Sequence, residues 1–366
     1  MKLTSKVKLL TTYEQAAALK ATMVQANHAC NFISEQAWRS KTFRQFPLHK
    51  LTYYPVREQF DLAAQVVVRS ISKVADAYKL DKKIKRTFKM LGAITFDNRL
   101  LSFELENSKV SIWTIAGRQH IPFACGEHQR ELLQGQLGES DLVHINGTFY
   151  LFVTCDFEEP NQLDVDDFLG VDLGIVNLAS DSDGENFDGE VVERNRRKYE
   201  HRRCNLQRKQ TKSSKRKLRK LSGCQARFQT DVNHTISKRL VQKAQDTHRG
   251  IALEDLKGIR EAPVRRKQRN KHSNWSFFQL RSFIEYKAQK AGIPVCPVDP
   301  RNTSCTCPIC SCVDKANRRT QSLFSCISCG YSAPADYNAA RNIRARAVVN
   351  LPMVSTPLGL GTSYRL

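Results

Sequence analysis

The stretch from Leu169 to Gly174 reads LGVDLG and places one acid, Asp172, inside an apolar strand. A carboxylate among apolar strand residues is costly to bury unless a cation offsets its charge. Two more acids stand at the edges of elements: Glu254 ends the short apolar strand Gly250–Leu253, and Asp336 begins a helical pattern. The three positions predict an α/β domain in which acids converge at the ends of strands.

Phosphodiester cleavage is a chemistry that needs such a group of acids. Two Mg²⁺ or Mn²⁺ ions can activate a water molecule and stabilise the leaving oxygen, and Mg²⁺ needs only a few carboxylates beside water and phosphate oxygens. We therefore predict that Asp172, Glu254 and Asp336 are catalytic and hold two such ions. Each acid alone also fits a simpler role, such as a salt bridge, a surface acid or a helix N-cap. Asp255 is expected to face away from Glu254.

The charge of the chain is large and unevenly placed. Its 366 residues carry 58 Lys and Arg against 36 Asp and Glu, a net charge of +22. Residues 155–190 hold twelve Asp and Glu and no Lys or Arg, whereas 191–220 and 257–272 are strongly basic. Such a balance predicts a nucleic-acid partner, although a basic run can also be a solvated helix face. The predicted phosphate contacts are Arg196, Arg197, Arg202, Arg203, Arg216, Lys217, Arg219, Lys220, Arg265, Arg266 and Lys267.

The sequence pattern predicts neither a membrane span nor a secretory signal. No run of about 18 uncharged apolar residues occurs, and charges interrupt the apolar stretch at the N-terminus. We expect a cytoplasmic, nucleoid-associated prokaryotic protein with reduced thiols.

Four of the twelve cysteines form two knuckles, Cys307-x2-Cys310 and Cys326-x2-Cys329, separated by fifteen residues. This double spacing is typical of a zinc ribbon with one structural Zn²⁺ on four thiolates. Cys305 and Cys312 make C-x-C spacings with the first knuckle, so ligand exchange with them stays open.

Hydrophobic periodicity predicts the remaining elements. Residues 3–10 form a strand, and Thr12 and Gln15 form a capping box for the helix that follows. A second helix is expected over 60–78, and Asn146-Gly147 predicts a hairpin. Residues 191–247 are expected to form a charged helical pair that breaks at Ser222-Gly223. The remaining expected elements are a strand at 168–173, a helix at 275–291, a strand at 295–298, a helix at 336–349 and a loose tail.

Several motifs together resemble the TnpB family, the insertion-sequence proteins once called OrfB transposases. The motifs are Gly170–Gly174, Leu253–Gly258, Thr303–Cys310, Phe324–Gly330 and Ala335–Ile343, with Lys8–Gln15 and Cys30-Asn31 resembling the family's start. Two positions depart from the family pattern: Cys305 stands where Gln is common, and Ser311 where Gly often follows the knuckle.

The resemblance implies an RNA-guided DNA endonuclease that binds a guide RNA and unwound target DNA, and it places Asp172, Glu254 and Asp336 on the family's catalytic acids. It also implies an α/β multidomain fold with a RuvC-like, RNase H-type nuclease domain, an inserted zinc ribbon, an N-terminal β (wedge) unit and a helical recognition insert. The expected domains are wedge 1–11 and 91–165, recognition insert 12–90, nuclease 166–302 and 332–350, ribbon 303–331 and tail 351–366.

Three other functions remain open at this stage. A nuclease-dead, RNA-guided DNA-binding regulator would lack one of the acids, and all three are present. A transposase that joins ends itself is disfavoured because no His-x-His signature occurs. A compact CRISPR-associated nuclease of the same fold has the same sequence features.

Overall fold

The computed structural model describes residues 1–255 and 277–349. They divide into two compact units, Met1–Glu158 and the described part of Glu159–Leu366. The first unit combines a seven-stranded antiparallel sheet with helices that share one apolar core. Its strands are β1 (Lys2–Leu9), β2 (Ile94–Phe96), β3 (Leu101–Glu104), β4 (Lys109–Thr114), β5 (Gly117–Ala124), β6 (Gln136–Ile145) and β7 (Thr148–Asp156), in the order β2-β6-β7-β1-β5-β4-β3. Its helices are α1 (Tyr13–Ser40), α2 (Gln45–Gln59), α3 (Ala64–Leu80) and α4 (Glu127–Leu133).

Local signals set much of this unit. The Thr12–Gln15 capping box forms in both directions, and the Asn146-Gly147 turn joins β6 to β7 as predicted. The helix predicted from Phe60 begins only at Ala64, because Phe60 is already the extended cap residue of α2. Helix α2 is not predicted by the sequence pattern, because its only fully buried apolar side chains are Leu48 and Val56.

The second unit is built on a five-stranded mixed sheet. Strand β8 (Phe168–Asp172) lies at its centre, antiparallel to β9 (Asn177–Asp181) on one side and parallel to β11 (Gly250–Glu254) on the other. The outer strands are β10 (Asn186–Asp188) beside β9 and β12 (Val295–Val298) beside β11. Parallel strands end on the same edge of a sheet, so the order β10-β9-β8-β11-β12 brings the ends of β8 and β11 together.

Helices α7 (Phe277–Lys290) and α8 (Ala335–Val349) pack in this unit, and α6 (Lys212–Asp246) packs against α7. Helix α5 (Glu190–Lys209) buries no residue and pairs with α6. The predicted break at Ser222-Gly223 is wrong. The chain turns at Gln210, which takes a left-handed conformation, and Thr211 caps α6 through a bond from the Ser214 amide to its hydroxyl.

The ribbon contains the short hairpin of β13 (Leu323–Ser325) and β14 (Ser332–Pro334), preceded by a single 3-10 turn at Lys315–Asn317. A small core of Cys307, Phe324 and Cys326 holds it together. In the part of the chain that the structure describes, no helix is both long and apolar enough to cross a membrane.

Candidate nuclease site and zinc ribbon

Two of the three predicted acids sit side by side at the carboxyl edge of the sheet. Asp172 is the last residue of β8 and Glu254 the last residue of β11. Val171 pairs with Leu253 in the parallel register, so the next residue on each strand is an acid. The apolar strand residues before each acid are buried, which fixes the register and therefore the neighbourhood of the two carboxylates.

The third acid arrives on α8, which lies against β8. Asp336 is in the first turn of this helix, and the Asn177 amide donates to its Oδ2 at 2.8 Å. The close approach of α8 depends on Gly170, since a Cβ there would stand 2.1 Å from the Ala340 carbonyl oxygen and 2.6 Å from the Arg344 amide nitrogen. A glycine two residues before Asp172 therefore brings the helix of Asp336 to that strand.

Burial makes the charged form of these acids costly. The pKa of Asp172 is raised to about 8, first by burial and then by the charges of Glu254 and Asp336. Burial also raises the pKa of Glu254, while a hydrogen bond from Thr303 works in the opposite direction. Asp172 therefore lies within the electrostatic reach of both other acids.

A divalent cation fits this environment. Hard oxygen ligands suit Mg²⁺ and Mn²⁺, and a bound cation would offset both the burial and the repulsion that raise the pKa of Asp172. In the described residues, only four cysteines place their potential metal-ligand atoms all within 4.8 Å of one another, and the oxygens of the three carboxylates do not all lie within that distance. The acids are thus spread more widely than the ligands of one tetrahedral ion.

The four predicted cysteines form the tight group. The sulfurs of Cys307 and Cys329 are 3.6 Å apart and those of Cys310 and Cys326 are 3.5 Å apart. Thiolates at about 2.3 Å from one tetrahedral Zn²⁺ would stand about 3.8 Å from each other, so the group fits zinc. Amide donors from Cys329 and Ser328 lower the pKa of the Cys326 thiol, which favours a thiolate there, whereas burial and the neighbouring thiols raise the pKa of Cys329. Cys305 and Cys312 are not members of the group.

Both knuckles end in a left-handed residue. Gly330 has φ 73° and Ser311 has φ 61°, each directly after the second cysteine of its knuckle. The ribbon therefore keeps the same backbone at Ser311 that glycine supplies at Gly330, with a modest conformational cost for the serine.

The predicted phosphate contacts of α5 and α6 divide into two groups. Arg196 lies between Glu193 and Glu200, at 2.6 and 2.9 Å, and its side chain is 17% exposed. Arg197 also binds Glu193, and Arg203 donates to Gln225 of α6. These three arginines are therefore already paired with side chains of the two helices.

The other members of α5 and α6 are exposed and have no ion-pair partner among the described residues. They are Arg202, Arg216, Lys217, Arg219 and Lys220. Arg202, Lys217 and Lys220 line one groove between the two helices. Arg265, Arg266 and Lys267 lie outside the described residues.

Three residues near the acids carry no role in the sequence prediction. Asn177 binds Asp336, Thr303 Oγ1 donates to Glu254 Oε1 at 2.5 Å, and Arg318 lies 3.9 Å from Asp336. Arg318 also lowers the pKa of Asp172. Thr303 belongs to a motif that the resemblance rests on, but no periodicity singles out any of the three. Asp255 pairs with Arg281, which also donates to the Glu254 carbonyl at 2.6 Å.

Comparisons with known proteins agree with this architecture. The OrfB_IS605 family model, described as "Probable transposase", matches residues 152–258, and the model of the Cas12f1-like TNB domain matches residues 277–343. The cryo-EM structure of a Cas12f1–sgRNA–target DNA complex has a similar fold, with a TM-score of 0.66 at 15% identity over 91% of this chain and 83% of that one. The predicted RuvC-like α/β fold with a zinc ribbon is thereby confirmed.

Two curated relatives are also similar in sequence. The CRISPR-associated endodeoxyribonuclease Cas12f1 of Sulfoacidibacillus thermotolerans is 34% identical over 57% of this chain and 53% of its own length. The TnpB-like protein MJ0751 of Methanocaldococcus jannaschii is 39% identical over 34% of this chain and 45% of its own length. The chain spans about half the length of these two relatives. The predicted resemblance to the TnpB family is confirmed by these matches.

Proposed function

We propose that this protein is a metal-dependent, RNA-guided DNA endonuclease encoded by an insertion sequence, acting on prokaryotic DNA in the cytoplasm and nucleoid. Asp172, Glu254 and Asp336 would hold the metal ions. The observation that carries the proposal is the convergence of these acids: burial, followed by the charges of Glu254 and Asp336, raises the pKa of Asp172 to about 8. The similarity to an endodeoxyribonuclease and to a TnpB-like protein supports the same reaction class.

The residues around the acids have distinct tasks in this proposal. Mg²⁺ or Mn²⁺, when bound, would activate the attacking water and stabilise the leaving 3′ oxygen. Asn177 orients Asp336, and Arg318 adds a positive charge close to Asp336 and Asp172. The exposed cations of α5 and α6 would bind phosphates without reading bases, while guide pairing supplies sequence. The four cysteines would hold a structural zinc ion.

A compact CRISPR-associated nuclease is the second candidate, because the Cas12f1 of S. thermotolerans shares sequence with more than half of this chain. Both candidates use the same acid site. Sequencing the RNA that co-purifies with the protein separates them: a repeat-derived guide indicates the CRISPR system, and a guide containing the end of an insertion sequence indicates the TnpB type.

Cleavage and binding should separate when an acid is neutralised. Asp172→Asn, Glu254→Gln and Asp336→Asn should each lose cleavage of a guide-matched DNA by orders of magnitude and still bind RNA and DNA. Asp166→Asn is the matched control, since Asp166 is an exposed acid just before the same strand. Asp255 is a poorer control because its partner Arg281 also binds the Glu254 backbone. Wild-type cleavage by Asp172→Asn would refute the proposed site, and cleavage without RNA would refute the guided activity.

A further inference from the structure

Thr303 lies where the chain leaves the nuclease sheet and enters the zinc ribbon, four residues before the first knuckle cysteine. Its side chain is buried, with 3% of the residue exposed. The hydroxyl stands 2.5 Å from Glu254 Oε1 and 3.0 Å from the Pro300 carbonyl oxygen. The carboxylate is the stronger acceptor of the two and is also the closer one, so the Thr303 hydroxyl donates its hydrogen bond to Glu254.

Two asparagines of α8 hydrogen-bond to the backbone of the segment from Thr303 to Thr306. The Asn342 amide donates to the carbonyls of Thr303 at 2.7 Å and Thr306 at 2.8 Å, and Asn338 donates to Thr306 at 3.1 Å. Both asparagines are buried. Buried amide hydrogen bonds of this kind fix a backbone, because breaking them would leave unpaired polar groups.

The same helix therefore serves two acids. It carries Asp336 directly, and through Asn342 it fixes the backbone that presents the Thr303 hydroxyl to Glu254. Within the described residues, Oε1 of Glu254 has this one side-chain donor, and Oε2 has none. The contact selects one orientation of the carboxylate and leaves Oε2 for another ligand.

We propose that Thr303 is a positioning residue that orients the Glu254 carboxylate for metal binding, with Asn342 fixing Thr303 in that role. The inference rests on the proposed metal-dependent nuclease. It gives the segment at the start of the ribbon, around Thr303, a second function, which is to align the Glu254 carboxylate of the nuclease site. Residues that hydrogen-bond a metal-ligating side chain typically change metal affinity by about 10–100-fold when they are replaced.

The test uses the full-length, zinc-loaded protein freed of nucleic acid, with Mn²⁺ as the probe and free Mn²⁺ read by electron paramagnetic resonance. Thr303→Val should weaken Mn²⁺ binding about 10–100-fold, and Thr303→Ser, which keeps the hydroxyl, should restore most of the affinity. Thr306→Val is the matched control. It removes a hydroxyl in the same segment that bonds only the Asn302 carbonyl, so it should bind Mn²⁺ like the wild type.

Zinc content and Glu254→Gln distinguish the remaining outcomes. Unchanged zinc in Thr303→Val together with weaker Mn²⁺ binding supports positioning. Wild-type Mn²⁺ affinity in Thr303→Val, or a parallel loss of zinc that Thr303→Ser does not repair, overturns it. If Glu254→Gln itself binds Mn²⁺ normally, the proposed metal site is refuted. If only Glu254→Gln weakens binding, the metal site stands and the role of Thr303 is refuted.

Discussion

Asp172→Asn should change how stability depends on pH in the absence of added divalent metal. The pKa of Asp172 is about 8 in the folded protein against 3.8 as its ordinary value. The folded state therefore holds this proton more tightly than the unfolded state. Stability from this group is complete below pH 4 and falls as the pH rises from about 4 to 8, by up to 1.36 kcal/mol per pH unit.

The full shift corresponds to about 6 kcal/mol, and the residual exposure of Asp172 reduces this to an expected loss of roughly 2–5 kcal/mol by pH 8. Asparagine keeps the shape and does not titrate, so the variant should lack this loss and become the more stable protein at pH 8. Other titrating groups, the zinc thiolates included, are common to both proteins and largely cancel in the difference.

The measurement is the free energy of unfolding from urea titrations at pH 5, 6, 7 and 8, with zinc present and Mg²⁺ absent. Adding Mg²⁺ at pH 8 should stabilise the wild type and have little effect on the variant, because binding to the folded state adds stability by mass action. A stability difference that stays constant from pH 5 to 8 would refute the account of Asp172 as a buried acid in a repulsive group.

Three further predictions follow from particular contacts. Gly170→Ala should destabilise the folded protein by at least about 1–3 kcal/mol and abolish cleavage, since its Cβ would meet the backbone of α8. Gly223→Ala in α6 meets only the end of the Arg227 side chain and should stabilise the protein by about 0.5–1 kcal/mol. Thermal unfolding compares the two variants. Cys326→Ser should lose zinc in elemental analysis while Cys305→Ser keeps it. The opposite result would refute the assignment of the zinc ligands. Replacing Arg216, Lys217, Arg219 and Lys220 with Ser should lower the log–log salt slope of DNA binding by about 3, and an unchanged slope would make this run a solvated face.

The sequence could place Asp172 and Glu254 because both acids interrupt apolar strands. Burial of the strands fixes their register, and parallel pairing then makes the two acids neighbours. The four cysteines of the proposed zinc site were equally predictable from the sequence, since a metal knuckle has a fixed spacing. Patterns that repeat along the chain therefore predicted the parts of the site that depend on local geometry.

The missed residues depend on contacts between segments far apart in the chain. Thr303 and Glu254 are 49 positions apart, and Asn177 and Asp336 are 159 apart, so no local period relates them. The predicted position of the break between α5 and α6 was wrong for a different reason. A glycine inside an exposed helix costs only about 1 kcal/mol, so Gly223 stays helical while a polar cap at Thr211 starts the helix.

Gly170 shows how the sequence and the tertiary structure combine at the site. The motif around Asp172 contains a glycine two positions earlier on the same strand face, and period-two alternation directs both positions to α8. Any side chain at 170 would push α8 away, and with it both Asp336 and the asparagines that hold the Thr303 segment. A single small residue thus controls how closely the third acid approaches the other two. Its replacement should therefore impair the nuclease site more than its cost in stability alone would suggest.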